Sequence, residues 1–414
     1  MNIETRLANR AKGKEPSPIR ELLKYMKMEN MISLGGGYPN PDTFAFEKVD
    51  IAFKGGGKIT IEGKDLSVAS QYGPSDAHDK LKQELILWHK NKDGISLSES
   101  ELVVLNGCQE GLFIMAYLFL NNNDSVIVDE PTYPGALSAF KSFTRNFVAI
   151  PLDEEGMDTE VLEKTLSKME KDKKPLPKFI YSVPNGHNPG GVSLSERRKE
   201  HLLRICDKYD ILVVEDDPYQ LLRLDDHPLS KTLQSLDTEK RVIRLDSFSK
   251  TFAPGLRIGY ASGPREIMRQ FVLFKQSSNL HTSMFIQEIL LKYLKVYGHE
   301  KFQELIKQNC QLYRRNRDIM IDAVKKYLPS EVKYNAPREG MFIWFILPKK
   351  CNAQNMIDKY TNKLKVLLVP GGAFSTQNSL KNCMRASFSL VTPEEIREGI
   401  RRFGEMIRLE MQNS

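Results

Sequence analysis

The sequence has few of the features that would mark a metalloprotein, a disulfide-stapled domain or a membrane protein. Its five cysteines, Cys108, Cys206, Cys310, Cys351 and Cys383, lie far apart and form no CxxC pair. That spacing argues against zinc knuckles, dithiol redox motifs and a dense disulfide framework, and it fits a reducing compartment. No apolar run approaches the length of a membrane span. His78, His187 and His201 lack metal-ligand spacing, so no catalytic metal is expected. Gly57-Lys58 and Gly63-Lys64 do not have the spacing of a GxxxxGK[ST] phosphate loop, and Asp65 follows the second lysine. There is no internal repeat, no low-complexity tract and no charged tail. Met1 to Lys14 is mildly basic, contains Glu4 and lacks the apolar core of a secretory signal. The expected location is therefore cytoplasmic, with no membrane partner.

What is present is material for large cores. The chain has 414 residues, of which 41% are apolar, enough for two domains and too much for one small one. Lys and Arg number 60 against 53 Asp and Glu, a net charge of +7 spread over mixed-sign helices. A diffuse excess of that kind favours small anions and gives no reason to expect nucleic acid as a partner.

From about residue 100 to 260, short continuous apolar runs alternate with helical patterns, as in βα units on a mostly parallel sheet covered on both faces. The predicted strands are Leu102–Leu105, Val126–Val128, Phe179–Tyr181, Ile211–Val214 and Val242–Leu245. Helical periodicity runs over Glu110–Leu120, Ser195–Tyr209 and Pro264–Gln276. After about residue 285 the pattern changes to long helices, Phe285–Val296 and His299–Tyr327. A strand over Met341–Leu347, a further strand around Lys365–Leu368, another over Cys383–Phe388 and a closing helix from Pro393 follow. The expected domains are an N-terminal arm and helix over 1–34, a large domain over 35–285 and a small α+β domain over 286–414. The arm would pack on the small domain or reach a neighbouring subunit.

The chemistry is concentrated at the strand ends. Each predicted strand runs into a polar motif: Asn106-Gly-Cys-Gln-Glu-Gly111, Asp129-Glu-Pro-Thr-Tyr-Pro134, Ser182-Val-Pro-Asn-Gly-His-Asn-Pro-Gly-Gly191, Glu215-Asp-Asp-Pro-Tyr219 and Asp246-Ser-Phe-Ser-Lys250. In open parallel sheets ligands bind beyond the carboxyl ends of strands, so five such ends would meet at one crevice. The stretch Ser247 to Arg257 sets Lys250 beside two hydroxyls and follows it with Pro254-Gly255 and Arg257. A lysine that forms a Schiff base with a phosphorylated aldehyde needs such a setting, with Ser247, Ser249 and Arg257 on the phosphate. Gly107-Cys108-Gln109 opens a helix directly after a strand, a ready site for phosphate on backbone N–H groups. Glu215, Asp216 and Asp217 compete as the acidic partner of a ligand, and strand alternation alone does not choose among them.

These motifs resemble those of the fold-type I pyridoxal-phosphate aminotransferases, from about residue 15 to the C-terminus. Pro16-Ser-Pro-Ile-Arg20, Ile32-Ser-Leu-Gly-Gly-Gly-Tyr-Pro-Asn-Pro41 and Arg385-Ala-Ser-Phe-Ser389 are most similar to the kynurenine/α-aminoadipate group. The resemblance implies an aspartate aminotransferase-like α/β fold. Its large domain carries a mostly parallel, seven-stranded-type sheet covered by helices, and a smaller α+β domain accompanies it. The implied cofactor is pyridoxal 5′-phosphate. Lys250 would hold its aldehyde and move a proton, Asp216 would face the ring nitrogen, and Tyr219 and Asn188 would bond the ring oxygen. Tyr133 would stack on the ring, while Cys108, Gln109, Ser247, Ser249 and Arg257 would hold the phosphate. Tyr72 would reach the phosphate of the neighbouring subunit in a homodimer. Arg385, with Asn188, would grip the substrate α-carboxylate, Arg20 a distal carboxylate, and Gly37, Tyr38 and Leu280 would shape the side-chain pocket. Two departures stand out: Asn188-Pro189-Gly190-Gly191 where the family usually has Asn-Pro-Thr-Gly, and Cys108 where it commonly has serine or alanine.

The implied activity is amino transfer by a ping-pong mechanism. The donor would be an L-amino acid (2-aminoadipate, aromatic or kynurenine-like) and the acceptor a 2-oxo acid such as 2-oxoglutarate. The same lysine and aspartate would also serve a β-lyase or decarboxylase, since the cofactor stabilises the carbanion whichever bond breaks. A non-catalytic regulator domain is a third reading, but it would need a DNA-binding segment ahead of residue 15.

Overall fold

The computed structural model describes residues 3–18, 25, 28–32, 34–35, 37–54, 56–377 and 379–413. The chain forms two compact units, Met1–Asn121 with Ile243–Glu304, and Asn122–Val242 with Leu305–Ser414.

In the first unit the strand Gly259–Ser262 lies between Leu102–Leu105 and Val242–Ser247 and is antiparallel to both. It is absent from the sequence reading, being four residues long and opened by a glycine. Its direction follows from its connection: the chain returns from Ser247 without a full crossover helix, which a parallel neighbour would require. A second strand pair, Lys48–Ala52 with Lys58–Glu62, buries Ile59 and Ile61 against Leu66, Ala69 and Ile289. Two residues separate the helix Cys108–Phe119 from the strand before it, and Arg265–Ser277 follows Gly259–Ser262. Residues 3–18 pack within this unit. Ala8 N–H donates to Leu118 O at 2.6 Å and Ser17 N–H to Gln276 Oε1 at 2.9 Å. Leu7, Ala8 and Ala11 are buried there, so it is their apolar surface that fixes the segment.

The second unit is built on parallel strands in the order Leu212–Asp216, Phe179–Ser182, Ser125–Glu130 and Asn146–Asp153, with the short Gly156–Met157 antiparallel at the end. Every residue of Phe179–Ser182 and Leu212–Asp216 is buried, as expected for strands covered on both faces. Helices Thr159–Lys171 and Glu196–Lys208 contribute Leu162, Leu166, Leu202 and Ile205 to the core beneath them. The same unit holds a four-stranded antiparallel sheet, Lys333–Tyr334, Phe342–Ile346, Cys383–Ser387 and Val369–Pro370 in that spatial order. Trp344 pairs with Arg385 and Arg385 with Val369. Phe345, Met384, Met356, Phe403 and Ile407 make a core between this sheet and helices Ala353–Leu364 and Pro393–Asn413. The strand expected over Lys365–Leu368 is displaced to Val369–Pro370. Lys365 is instead the left-handed C-cap of the preceding helix, with φ 52° and its N–H bonded to Thr361 O.

The helix Met284–Tyr327 is interrupted at Gly298, whose φ of 75° and ψ of 169° are non-helical. The sequence reading of two helices broken between Val296 and His299 agrees with this. Residues before Leu305 count with the first unit and the rest with the second.

Candidate active site

The first unit gathers an anion cradle. Strand Leu102–Leu105 is followed by Asn106, and Gly107, with φ 76° and ψ 163°, is the N-cap of helix Cys108–Phe119. A Cβ at Gly107 would lie 2.5 Å from Nη2 of Arg257, so only glycine lets the guanidinium approach this helix end. Arg257 itself has φ 53°. Its Nη1 donates to Pro254 O at 3.2 Å and lies 3.5 Å from Ser249 Oγ. Ser249 N–H donates to Ser247 Oγ at 3.1 Å, which closes the turn that carries Lys250. A Cβ on Gly259 would meet Asp246 O at 2.7 Å and Cys108 Sγ at 3.4 Å, so the thiol is packed against the returning strand. A guanidinium, two hydroxyls and the N–H groups of a helix N-terminus in one place suit a phosphate dianion. Cys108 and Gln109 are the first two residues of that helix, and Lys250 is half-buried in the adjoining turn.

The cradle is braced from behind. Glu110, in the first turn of the helix, accepts from Asn106 N–H at 2.7 Å and from the fully buried Lys275 ammonium at 3.2 Å. Burial lowers the Lys275 pKa, and the Glu110 charge opposes that shift. Lys275 O accepts from Leu280 N–H at 2.7 Å, and Leu280 has φ 65° and is partly exposed. In the same unit the Tyr72 ring stands edge-on to Tyr38 and to His281, each at 6.2 Å. Gly37 is exposed with open space around it. Arg20 lies outside the described residues.

The second unit sorts the three consecutive carboxylates. Glu215 accepts from the N–H groups of Leu233 and Gln234 at 2.7 and 3.0 Å, capping a short helix. Asp217 accepts from Asn185 Nδ2 at 2.7 Å and from Gln220 N–H at 3.1 Å, closing its own turn. Asp216, 4% exposed, accepts from the Tyr181 hydroxyl at 2.9 Å. Side chains alternate along a strand, so Asp216 points to the opposite face from Glu215.

Around it lies a buried polar and aromatic group. Tyr219 hydrogen-bonds the Asn188 side chain, and its pKa is raised by burial first and then by the Asp216 charge. Asn188 Oδ1 accepts from Arg385 Nη1 at 2.8 Å. The Arg385 guanidinium stacks 4.3 Å from the Phe342 ring centroid and 5.1 Å from that of Phe374. Its Nε is buried with no hydrogen-bond partner among the described residues. Burial lowers the Arg385 pKa, which leaves a partly desolvated cation ready for an anion. Phe374 is held by Thr132 N–H, which donates to its carbonyl at 2.9 Å, and by Glu130, which accepts from Thr376 N–H at 3.0 Å. Tyr133 caps helix Pro134–Lys141, close enough to Tyr219 and Arg385 to shift their proton affinities.

Several of these residues escaped the sequence reading. Tyr181, Phe342 and Phe374 were hidden among core aromatics, although Tyr181 does sit at a strand end. His187 and Asp129 form a second buried pair, Nε2 to Oδ2 at 3.3 Å. Gly190 N–H donates to His187 Nδ1 at 3.1 Å, so the ring proton sits on Nε2, facing the carboxylate. Burial raises the Asp129 pKa and His187 counters it in part. Among the described residues no helix is long and apolar enough to cross a membrane.

Comparison with known proteins shows the family of the chain. The model of the family described as "Aminotransferase class I and II" matches residues 59–403. An aromatic-amino-acid aminotransferase of Thermococcus litoralis is 37% identical, over 100% of this chain and 96% of its own length. The mitochondrial kynurenine/alpha-aminoadipate aminotransferase of Rattus norvegicus is 35% identical over 99% of each chain. The crystal structure of Pyrococcus horikoshii kynurenine aminotransferase, in complex with PMP and with kynurenine, superposes with a TM-score of 0.79 at 35% identity. It covers 99% of this chain and 98% of its own.

Proposed function

The chain belongs to the class I and II aminotransferases and is a pyridoxal-phosphate-dependent transaminase, and from that premise we propose which residues do the work and on which substrates. When bound, the cofactor supplies an electron sink for the carbanion formed at the substrate Cα. Lys250 would hold the cofactor by its aldehyde, and its amine would serve as the base that moves the substrate Cα proton. Asp216 keeps the ring nitrogen protonated, and Tyr219 and Asn188 bond the ring oxygen. Arg257, Ser247, Ser249 and the N–H groups of Cys108 and Gln109 hold the phosphate, with Tyr133 on the ring face. Tyr72 completes the phosphate site of a second copy in a homodimer.

Arg385 binds the substrate α-carboxylate, and its stacking supports this reading most directly. Two rings fix the guanidinium plane, Asn188 takes one N–H, and the buried Nε is left to pair with an incoming carboxylate. Donors are 2-aminoadipate, aromatic and kynurenine-like amino acids, with 2-oxoglutarate as an acceptor. Tyr38, Gly37, Leu280 and Arg20 choose among them. The enzyme works in the cytoplasm, with an arm over 1–34, a cofactor domain over 35–285 and a small domain over 286–414.

The test uses the purified cofactor-loaded protein and a panel of amino acids, following loss of the cofactor's visible absorbance. Aminoadipate, aromatic amino acids and kynurenine should bleach it without an oxo acid present, and initial-rate lines should be parallel. Lys250→Ala should abolish bleaching by every donor. Converging lines, or pyruvate and ammonia as products, would overturn transamination as the reaction of these residues.

A further inference from the structure

Tyr181 is buried completely, next to last in strand Phe179–Ser182, and its hydroxyl donates to Asp216 Oδ2 at 2.9 Å. The register pairs Tyr181 with Val214, and Asp216 is two residues further along that strand. Tyr181, Val214 and Asp216 therefore share one face of the sheet, and the contact is built into the strand pairing. The Phe140 ring packs edge-on against the Tyr181 ring at 5.6 Å.

We propose that Tyr181 is a positioning residue which, through this hydrogen bond, sets how the proton is shared between Asp216 and the cofactor's ring nitrogen. The proposal rests on the reading of Asp216 as the partner of that nitrogen. A hydrogen bond to a carboxylate stabilises the anion over the acid and so lowers its proton affinity. With the phenol in place, the carboxylate stays charged and the proton stays on the ring. Without it, the carboxylate becomes the better base and draws the proton toward itself. The phenol does not compete as an acid: burial, followed by the Asp216 charge, raises its own pKa.

Two replacements at one position separate this from a packing role. Tyr181→Phe removes the donor and keeps the ring, while a ring-fluorinated tyrosine at 181 keeps the hydroxyl and makes it a stronger donor. Both are prepared as holoenzymes with cofactor isotope-labelled at the ring nitrogen, whose NMR shift reports its protonation. In Tyr181→Phe the shift should move toward the unprotonated form. Its kcat should fall roughly tenfold, with KM within about twofold. The fluorinated residue should move the shift the other way. Unchanged shifts, or shifts in one direction for both, would overturn the proposal. Should Tyr181→Phe not fold, the fluorinated protein still decides by the sign of its shift. Asp216→Asn serves as the control for the premise. If it leaves the nitrogen protonated, the reading of Asp216 has failed and the proposal with it. If it removes the proton while Tyr181→Phe changes nothing, only the proposal has failed.

Discussion

At the scale of single residues, the second unit shows how one cation is given a fixed orientation. Arg385 does not rely on charge alone, because Phe342 and Phe374 hold its plane and Asn188 holds one of its nitrogens. Lysine would keep the charge and lose both the fork and the stacking. Arg385→Lys should cut kcat/KM for amino acids roughly ten- to a hundredfold, mostly through KM, while the spectrum of the bound cofactor stays as in the parent. Steady-state rates beside an absorbance spectrum check this, and an unchanged KM would remove Arg385 from substrate binding. The same scale shows what a sequence conceals. Arg385 and Asn188 stand in recognisable motifs, but the choice among Glu215, Asp216 and Asp217 depends on partners such as Leu233, Asn185 and Tyr181. Those partners lie 18, 32 and 35 residues away along the chain, and no local pattern reports them.

At the scale of elements, continuous apolar runs reveal strands and half-exposed ones stay hidden. Phe179–Ser182 and Leu212–Asp216 are buried throughout and legible. Asn146–Asp153 buries only Ile150 fully and carries Pro151, and Lys48–Ala52 buries no residue fully, so neither gives a clear signal. The break in the long helix was legible because glycine is the weakest helix former apart from proline. Its conformation adds a consequence. At φ 75° and ψ 169°, Gly298 sits in a region open almost only to glycine, and a Cβ there would meet nothing within 4 Å. Gly298→Ala should therefore destabilise through backbone strain alone, by about 1–3 kcal/mol. Denaturant unfolding should show a lower midpoint, and an unchanged midpoint would mean that the segment simply continues as helix.

At the scale of the whole molecule, stability should carry the mark of one misplaced carboxyl. Glu288 is 2% exposed, its Oε2 3.3 Å from His78 Nε2. Lys80 N–H donates to His78 Nδ1 at 3.2 Å, so the ring proton sits on Nε2 and faces Glu288. Burial, with the nearby Asp65 charge, pushes the Glu288 pKa from its ordinary 4.5 up to about 7. Between those values the folded chain holds a proton that the unfolded chain has released, so this group's contribution falls as pH rises and is flat above about 7. His78 acts in the opposite sense, since burial lowers its pKa and the unfolded chain binds that proton more readily. Replacing only the carboxyl isolates the first effect. The Tm of Glu288→Gln relative to the parent should rise from about pH 5 to about pH 7 and then level off. A flat or falling difference would show that Glu288 keeps an ordinary pKa.

The pairing of Trp344 with Arg385 carries a further consequence. Because a strand alternates its faces, a one-residue slip of Cys383–Ser387 against Phe342–Ile346 would turn Met384 toward the Phe342 and Phe374 rings and the arginine toward the apolar core. A slip of two would restore the parity of the face while moving the arginine along the strand. Such a protein could still collapse around Phe345 and Phe403 and yet bind no amino acid. Catalytic competence in this chain is thus an audit of its own strand alignment, sensitive to an error that a measurement of compactness would pass.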